Sequence, residues 1–526
     1  MTTVEETRTI RRRLRYAWNS FFTRFGRLTP VQLETIPKVL DGANVIVASP
    51  TATGKTEAVV APLAEKYLAE EWERLSVLYV VPTRALANDT LVRVEGPLRD
   101  VGITATLKHG DKPYLSPKKL PNFLITTPES LDSLICRHPN LFSTLRAIVL
   151  DEIHLLDNTY RGDQLRLLLR RFDKLAADKN FSTHLLSATL SAPFQIARRY
   201  VNKFEVIKVG EERRIDHHIL NSLEEGCHFA RRRGWRKLLC FCNKRESVEE
   251  VSAKLAPLWH PYPVVAHHGS LSRPQREEAE TVMKEADAAV CVATSTLEVG
   301  IDIGDIDLIV LAEIPWSISS LLQRIGRGNR REDVNHVLVI VRTGEEKRLM
   351  EAMFDTVISG ALPMEPYRPD KSVAVQQVFS YLYQNRCGTD EAALLELLSP
   401  LCSESEARLI LSHLRGGEWL EYRTRRWCAS TRLIDWGETG RVHSNIPDDR
   451  AYMVVDIDTD REVGTIGGVF DEVFVLAGKV WRTVSVDSNT VRVRRFRGQA
   501  EPALFRRRKK VGAFNHLLPM ELRLSP

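Results

Sequence analysis

No stretch of the sequence approaches twenty consecutive apolar residues, and the N-terminal residues hold no apolar core of a secretion signal. The first absence excludes a membrane-spanning helix, and the second argues against export. Cysteine is sparse as well. The eight thiols show no Cys-x-x-Cys spacing, so neither a disulfide framework nor a zinc ribbon is indicated, and they read as small core residues in a reducing cytoplasm. Cys240 and Cys242 alternate along a strand and share a face, yet no second pair stands near to complete a zinc site. The paired His267 and His268 likewise lack a third and fourth ligand at a suitable spacing. An excess of charge is also missing, since the net value is +6, too modest by itself to argue for nucleic acid.

The distribution of charge says more than its sum. Arg8, Arg11, Arg12, Arg13 and Arg15 make a basic N-terminal segment. Arg492, Arg494, Arg495, Arg497 and Arg506 to Lys510 concentrate positive charge near the other end. Each cluster is either a solvated face or a phosphate contact. A chain of 526 residues, 43% of them hydrophobic, is expected to build three or four domains with ordinary cores.

Short apolar runs recur at 77–81, 123–125, 147–150 and 184–186, then at 238–241, 264–266, 289–293, 308–311 and 336–341. Helical or polar stretches separate most of them, the pattern of two successive doubly wound parallel sheets. Most runs end on small, polar or charged residues, so one edge of each sheet is expected to carry the chemistry.

Two of these edges specify that chemistry. After the apolar run ending at Ala48 comes Ser49-Pro50-Thr51-Ala52-Thr53-Gly54-Lys55-Thr56, followed by a helical pattern. Small residues at a helix N-terminus present backbone N–H groups to phosphate, Lys55 supplies a point charge for the β- and γ-phosphates, and the Thr56 hydroxyl suits a magnesium ligand. Ser49 and Ala52 stand where the general phosphate-loop pattern often has glycine. Asp151-Glu152 follows the run Leu145–Leu150, which places two adjacent carboxylates at a strand's carboxyl end. Asp151 is expected to hold Mg²⁺, and Glu152 to orient or deprotonate an attacking water.

Read in order, SPTATGKT, VPTRALA, TTPESL, DEIH, SAT, HHGSLS, ATSTLEVGIDIGDID and QRIGRGNR resemble the motif series of superfamily-two helicases, the DEAD/DEAH class with two RecA-like lobes. The likeness spans roughly residues 25 to 345, and the segment beginning at Ala293 resembles the large helicase-related (Lhr) family in particular. The resemblance implies adenine recognition by Phe25 and Gln32. It implies that Arg327 and Arg330 reach the γ-phosphate, fingers that contribute about 10³–10⁵-fold in related phosphoryl-transfer engines, and that Gln323 orients the same cleft, with a role for Arg324 left open. Ser187 and Thr189 from one lobe, and Gly300 and Asp302 from the other, are implied to couple nucleotide state to lobe movement. Contacts with the sugar-phosphate backbone are implied for Pro82-Thr83-Arg84, Thr127-Pro128-Glu129, His267, Gly269, Ser270 and Thr294-Ser295-Thr296, a positioning mode without sequence information.

Beyond a proline-rich joint at 363–369, apolar residues at helical spacing predict a first helix around Val375–Leu382, a second capped by Thr389, and a third opened by the capping box Ser403 to Glu406 and ended at Gly416-Gly417. Strands over Glu418–Arg423 and Arg426–Thr431 complete a winged helix, read as a brace with some strand contact rather than an independent duplex reader. From about Asp435 the pattern is alternating β, over 452–456, 474–476, 480–486 and 491–495, with turns at 458–461, 477–478 and 487–489, and a small barrel or sandwich is expected. Trp481 is read as core, with base stacking as the alternative. Against the Lhr pattern this C-terminal module is short, and no large insertion separates Asp307 from Gln323, where some unwinding enzymes place a strand-separating hairpin.

The expected architecture is therefore α/β: a first RecA-like lobe over 1–209, a second over 210–362, a winged helix over 363–434 and a small β-barrel-like domain over 435–526. The expected activity is an ATP-dependent helicase or translocase using ATP and Mg²⁺. It acts as a monomer on single-stranded or partly duplex nucleic acid, with DNA over RNA, 3′-to-5′ polarity and a setting in DNA repair implied by the resemblance. An RNA-remodelling ATPase and a non-enzymatic nucleic-acid-binding scaffold are the alternatives.

Overall fold

The computed structural model describes all residues except 1–2, 51–52, 111–114, 116–119, 177–180, 189–191, 210–213, 299–302, 329–333, 360–366, 447–451, 467–471, 478, 488–489, 497–500, 503–510 and 525–526. Contacts gather the chain into two compact units. Met1–Gly210, Glu365–Asp448 and Lys509–Pro526 form the first, and Glu211–Met364 and Asp449–Arg508 form the second. Each unit thus holds one α/β lobe with part of the C-terminal region built onto it.

In the first unit, β1 (Val45–Ala48), β2 (Val77–Val80), β3 (Ala105–Lys108), β4 (Phe123–Thr126), β5 (Ala147–Leu150), β6 (Ser182–Ser187) and β7 (Glu205–Lys208) make a sheet of order β3-β4-β2-β5-β6-β1-β7, with every pair parallel. The residues of β1, β2, β4 and β5 are buried throughout, as strands covered by helices on both faces must be. The edge strands β3 and β7 are partly exposed and carry polar residues, which is why hydrophobic runs alone do not reveal them.

The lobe of the second unit repeats the plan. Its strands are β8 (Arg214–Leu220), β9 (Lys237–Phe241), β10 (Val264–His267), β11 (Ala289–Ala293), β12 (Leu308–Leu311) and β13 (Val334–Ile340), in the all-parallel order β10-β11-β9-β12-β13-β8. Both lobes are thus doubly wound parallel sheets, as expected.

The winged helix comprises helices Ser372–Gln384, Glu391–Leu398 and Glu404–Gly416, the hairpin β14 (Leu420–Arg423) with β15 (Arg426–Ala429), and a further helix Thr431–Glu438. Ser403 and Glu406 form the expected capping box. The second helix is capped by Asp390, which accepts from the Ala393 amide, and not by Thr389. Thr389 is committed elsewhere, exchanging backbone hydrogen bonds with Trp427 as a short extra strand beside the hairpin. Helix Ser372–Gln384 is buried on nearly every side, packed between the wing and the lobe helices Pro128–Arg137 and Tyr160–Leu175 in one apolar core. Phe514 and Leu518, close to the chain's end, join that core.

The β-rich segment is inserted into the second unit: β16 (Tyr452–Asp456), β17 (Arg461–Ile466), β18 (Val473–Leu476), β19 (Lys479–Val486), β20 (Thr490–Arg495) and β21 (Glu501–Pro502). Among the described residues these strands form one mixed sheet, β17-β16-β20-β19-β18-β21, where a barrel or sandwich is the sequence expectation. Its apolar face has no need to close on itself. Val454, Val463, Phe474, Val491 and Val493 share a core with Val248, Leu255 and Trp259 of helix Arg245–Trp259. Trp481 is part of that core, 4% exposed, and its indole N–H donates to the Leu476 carbonyl at 2.8 Å. Strand β17 begins at Arg461, where the sequence suggests only a turn.

Candidate nucleotide and nucleic-acid sites

Strand β1 delivers the phosphate loop and β5 the acidic pair, with β6 hydrogen-bonded between them. The neighbouring strands β6 and β1 connect onward in opposite directions along the sheet, and such a switch point opens a crevice at the carboxyl ends. Gly54 takes a left-handed φ of 87° before helix Lys55–Ala69, and a Cβ there would lie 2.3 Å from the Gln32 amide nitrogen. Gln32 is engaged on both sides of its amide. Its oxygen accepts from the Thr29 N–H at 3.0 Å and its nitrogen donates to the Gly54 carbonyl at 3.4 Å, while the Thr29 hydroxyl donates to the Thr53 carbonyl at 2.8 Å. Residues 29–32 therefore brace the loop from outside. Phe25, 55% exposed, stands at the end of the preceding turn.

The Lys55 ammonium donates to the carbonyls of Ser49 and Pro50, at 2.5 and 2.9 Å, so the loop wraps its own lysine. Thr56 is buried and its hydroxyl accepts from Arg93 at 3.3 Å. Across the crevice, Asp151 Oδ1 accepts from the Glu152 N–H at 2.8 Å and Oδ2 from the Tyr79 hydroxyl at 2.7 Å. Burial pushes the Asp151 carboxyl up to about 6, and the adjacent Glu152 charge adds to this, against the opposing Tyr79 hydrogen bond and Lys55 charge. The action of the Lys55 charge on Asp151 places the two side chains in one electrostatic environment. Glu152 has a left-handed φ of 44°, a backbone form uncommon for a non-glycine residue and concentrated at functional sites. His154 Nδ1 lies 3.5 Å from Glu152 Oε2 and 3.2 Å from Ser187 Oγ, which links the acidic turn to the end of β6.

The strand-contact candidates of this unit lie on the other half of the same sheet edge. Pro82-Thr83-Arg84 follows β2, with Thr83 capping the next helix, and Thr127-Pro128-Glu129 follows β4. Arg84 is exposed, its guanidinium lying over Gly110. Glu129 is held by Arg161 through bonds of 2.5 and 3.0 Å. Burial opposes the Glu129 charge, but Arg161 outweighs it and keeps the carboxyl below its ordinary value.

The second unit shows the same segregation. His267 ends β10 with Gly269 and Ser270 just beyond it, and Thr294-Ser295-Thr296 follow β11, at one end of its sheet, whereas Gln323 and Arg327 follow β12. The His267 ring is committed to Thr296 at 3.0 Å and Glu280 at 3.1 Å, and the Ser270 hydroxyl accepts from Arg245 at 2.6 Å. Arg324, 1% exposed, donates to Glu298 at 2.7 Å and to Asn243 at 2.9 Å, and so joins the turn after β11 to those after β9 and β12. Arg327 donates to the Glu298 carbonyl at 2.8 Å. Gln323 is partly exposed beside them. Thr51, Ala52, Thr189, Gly300, Asp302 and Arg330 lie outside the described residues, as do Arg497 and residues 506–510 of the C-terminal basic cluster.

Sequence reasoning overlooks Tyr79, Arg93, Arg161 and Glu298. Tyr79 alone carries a signal, because a tyrosine in an aliphatic buried strand needs a partner for its hydroxyl. His268 is not a metal ligand in this arrangement, since its ring pairs with buried Glu249 at 2.8 Å and that carboxylate also accepts from the Ala477 N–H at 2.6 Å. Among the described residues the one cluster of three His, Cys, Asp or Glu side chains close enough to share a metal is Asp132, Cys136 and His443. Its carboxylate already accepts from His443, Ser380, Gln376, Gln377 and Gln164 beside the Arg171 cation, which makes it a keystone between lobe and winged helix. The buried thiols Cys227, Cys242 and Cys291 have raised pKa values, through burial for Cys227 and Cys291 and first through the hydrogen bond with Cys240 for Cys242, so they are inert core groups.

Among the described residues no helix is long and apolar enough to cross a membrane. Two family profiles match: the DEAD/DEAH box helicase domain over residues 29–196 and the helicase conserved C-terminal domain over 219–332. Curated relatives include the ATP-dependent helicase Lhr-Core of Saccharolobus solfataricus, 27% identical across 92% of this chain and 62% of the relative. The Lhr-Core of Methanothermobacter thermautotrophicus is 29% identical across 89% of this chain and 62% of its own length. The chain thus spans about six tenths of the length of these relatives. Among solved structures, Mycobacterium smegmatis helicase Lhr bound to ssDNA and AMP-PNP superposes with a TM-score of 0.69 at 24% identity, covering 82% of this chain and 62% of that one. The helicase MrfA bound to DNA and AMPPNP gives 0.75 at 20% identity, covering 92% and 72%. With the motif residues of its first lobe set along one sheet edge, the chain carries a DEAD/DEAH box helicase domain followed by a helicase conserved C-terminal domain, and is similar over most of its length to the Lhr-Core helicases.

Proposed function

We propose that the protein hydrolyses ATP and uses the cycle to move along, and separate, nucleic-acid strands. The observation that carries this reading is the convergence of Lys55, Asp151 and Glu152 at the carboxyl ends of β1 and β5, all three buried and with the Lys55 and Glu152 charges both acting on Asp151. The phosphate-loop amides and Lys55 bind the triphosphate, and withdrawal of Lys55 from the Ser49 and Pro50 carbonyls frees its charge for it. Glu152, held in its unusual backbone form, orients the water, and His154 carries the state of that turn to Ser187. Arg327 and Arg330 add positive charge for the transition state, Gln323 supports them, and Phe25 with Gln32 favours adenine. Thr189, Gly300 and Asp302 complete the coupling set.

Thr56 and Asp151 fit a divalent cation. Asp151 is a buried carboxyl whose ionisation is opposed by burial and by Glu152, an excess of negative charge that a cation relieves. Mg²⁺ bound there would neutralise charge on the phosphate oxygens.

The finer reading is a monomer that tracks single-stranded DNA from 3′ to 5′, in DNA repair. Support for DNA comes from the Lhr and MrfA complexes. RNA is the alternative, since the more distantly similar DEAD-box helicase Mss116 was solved with ssRNA at a TM-score of 0.56, and backbone contacts alone do not set a 2′-hydroxyl preference. Two measurements test the proposal. Lys55→Ala and Glu152→Gln are expected to abolish nucleic-acid-stimulated ATP hydrolysis, with Glu152→Gln still binding ATP, and undiminished turnover in either refutes the assignment. Matched DNA and RNA oligonucleotides are expected to stimulate unequally, DNA more.

A further inference from the structure

Arg161 stands between the two halves of the first lobe's chemistry. It lies in the first turn of helix Tyr160–Leu175, which follows the acidic turn. Its Nε and Nη2 grip both oxygens of Glu129, at 2.5 and 3.0 Å, and its Nη1 donates to the Pro82 carbonyl at 2.5 Å. One planar fork thus fixes the turn after β4 and the turn after β2, the two segments whose residues are the strand-contact candidates. Pro82 immediately precedes Thr83, the cap of the helix carrying Arg84, so holding that carbonyl sets where Arg84 stands.

The other end of the connection is equally tight. The Thr159 hydroxyl donates to the Leu156 carbonyl at 2.6 Å and accepts from the Gly162 N–H at 3.3 Å. A Cβ on Gly162 would lie 2.2 Å from the Leu156 carbonyl oxygen, so no slack separates the helix from the turn that begins at Glu152. Among the described residues no other side chain bonds to both Pro82 and Glu129.

We propose that Arg161 is a positioning residue that transmits the state of the acidic turn to the two turns that grip the strand. The inference rests on the reading that those turns contact nucleic acid. Small movements of Glu152 and Leu156 carry the helix N-terminus with them, and the guanidinium carries Pro82 and Glu129. A lysine keeps the charge opposite Glu129 but has no planar fork to satisfy both partners.

The test uses the full chain, an oligodeoxythymidine probe and the ATPase rate as a function of probe concentration, with Arg84→Ala for comparison. Arg161→Lys is expected to raise the half-stimulating oligonucleotide concentration about tenfold or more, the scale of one lost charge-assisted hydrogen bond, at an unchanged KM for ATP. Arg84→Ala is expected to raise it as well. If Arg84→Ala shifts the half-point and Arg161→Lys does not, the positioning role is overturned and the strand reading stands. If neither shifts it, the strand reading has failed and the inference falls with it. A lower melting temperature for Arg161→Lys with an unaltered half-point also overturns the proposal, because it marks a structural ion pair. Should Arg161→Lys fail to fold, Glu129→Gln weakens the same clamp from the other side and is expected to shift the half-point in the same direction.

Discussion

Replacing His443 by glutamine is expected to remove a pH dependence from the stability of the first unit. His443 is 5% exposed, and its Nδ1 lies 3.0 Å from Asp132 Oδ1. Burial alone would lower its pKa, but hydrogen bonds to Asp132 and Cys136 outweigh that and push it from 6.5 up to about 9. The folded chain therefore holds this proton more tightly than the unfolded chain. The resulting stabilisation is complete below about pH 6.5, declines as pH rises, and is gone once pH has passed about 9. A shift of that size corresponds to up to about 3 kcal/mol, a large share of the stability of an ordinary domain. Urea unfolding followed by the fluorescence of Trp419, Trp427 and Trp436, which lie in or against the same core, measures it. Other groups titrate in this window, among them Lys108, which burial brings down to about 8. The quantity to compare is thus the difference between the native chain and His443→Gln at each pH. That difference should shrink from about 3 kcal/mol at pH 6 toward zero at pH 10. A difference that stays constant across the range, or one that survives in an Asp132→Asn background, refutes the reasoning.

Three further expectations follow from single contacts. Tyr79→Phe deletes a hydrogen bond that favours ionised Asp151, so the acid limb of the kcat/KM profile for ATP should move to higher pH by about one unit; an unmoved limb would show that Asp151 is not the group titrating there. Glu249→Ala leaves His268 and the Ala477 amide without their shared acceptor. It should destabilise the second unit by about 2–4 kcal/mol, read by thermal melting and by faster proteolysis within residues 449–508. Gly437→Ala would place a Cβ 2.1 Å from the Tyr383 ring and should cost about 1–3 kcal/mol through overpacking, whereas an unaltered melting temperature would mean the helix shifts without strain.

The central strands were legible because they are buried on both faces and so read as continuous apolar runs. The runs at 147–150, 289–293 and 308–311 coincide with β5, β11 and β12. Edge strands β3, β7 and β8 were not, since one open side relaxes the demand for apolar residues. The phosphate loop and acidic pair were legible for a different reason. Their chemistry needs particular residue types within a few positions of one another, so the constraint is local.

What the amino-acid order by itself determined is thus the buried central strands, the motif chemistry and the family likeness. Only the tertiary structure decided which neighbours each motif has. Strand order put Ser187 between the phosphate loop and the acidic pair, and moved the strand-contact turns to the other half of the edge. The same folding spent the rings of His267 and His268 on internal bonds and brought Arg161 to Pro82 and Glu129. It also divided the C-terminal region, giving residues 449–508 to one unit and 509–526 to the other. The physical reason is range: a helix or phosphate loop closes over a few residues, whereas a salt bridge or a shared core couples positions far apart in the chain, and no local pattern records which distant partner will be met.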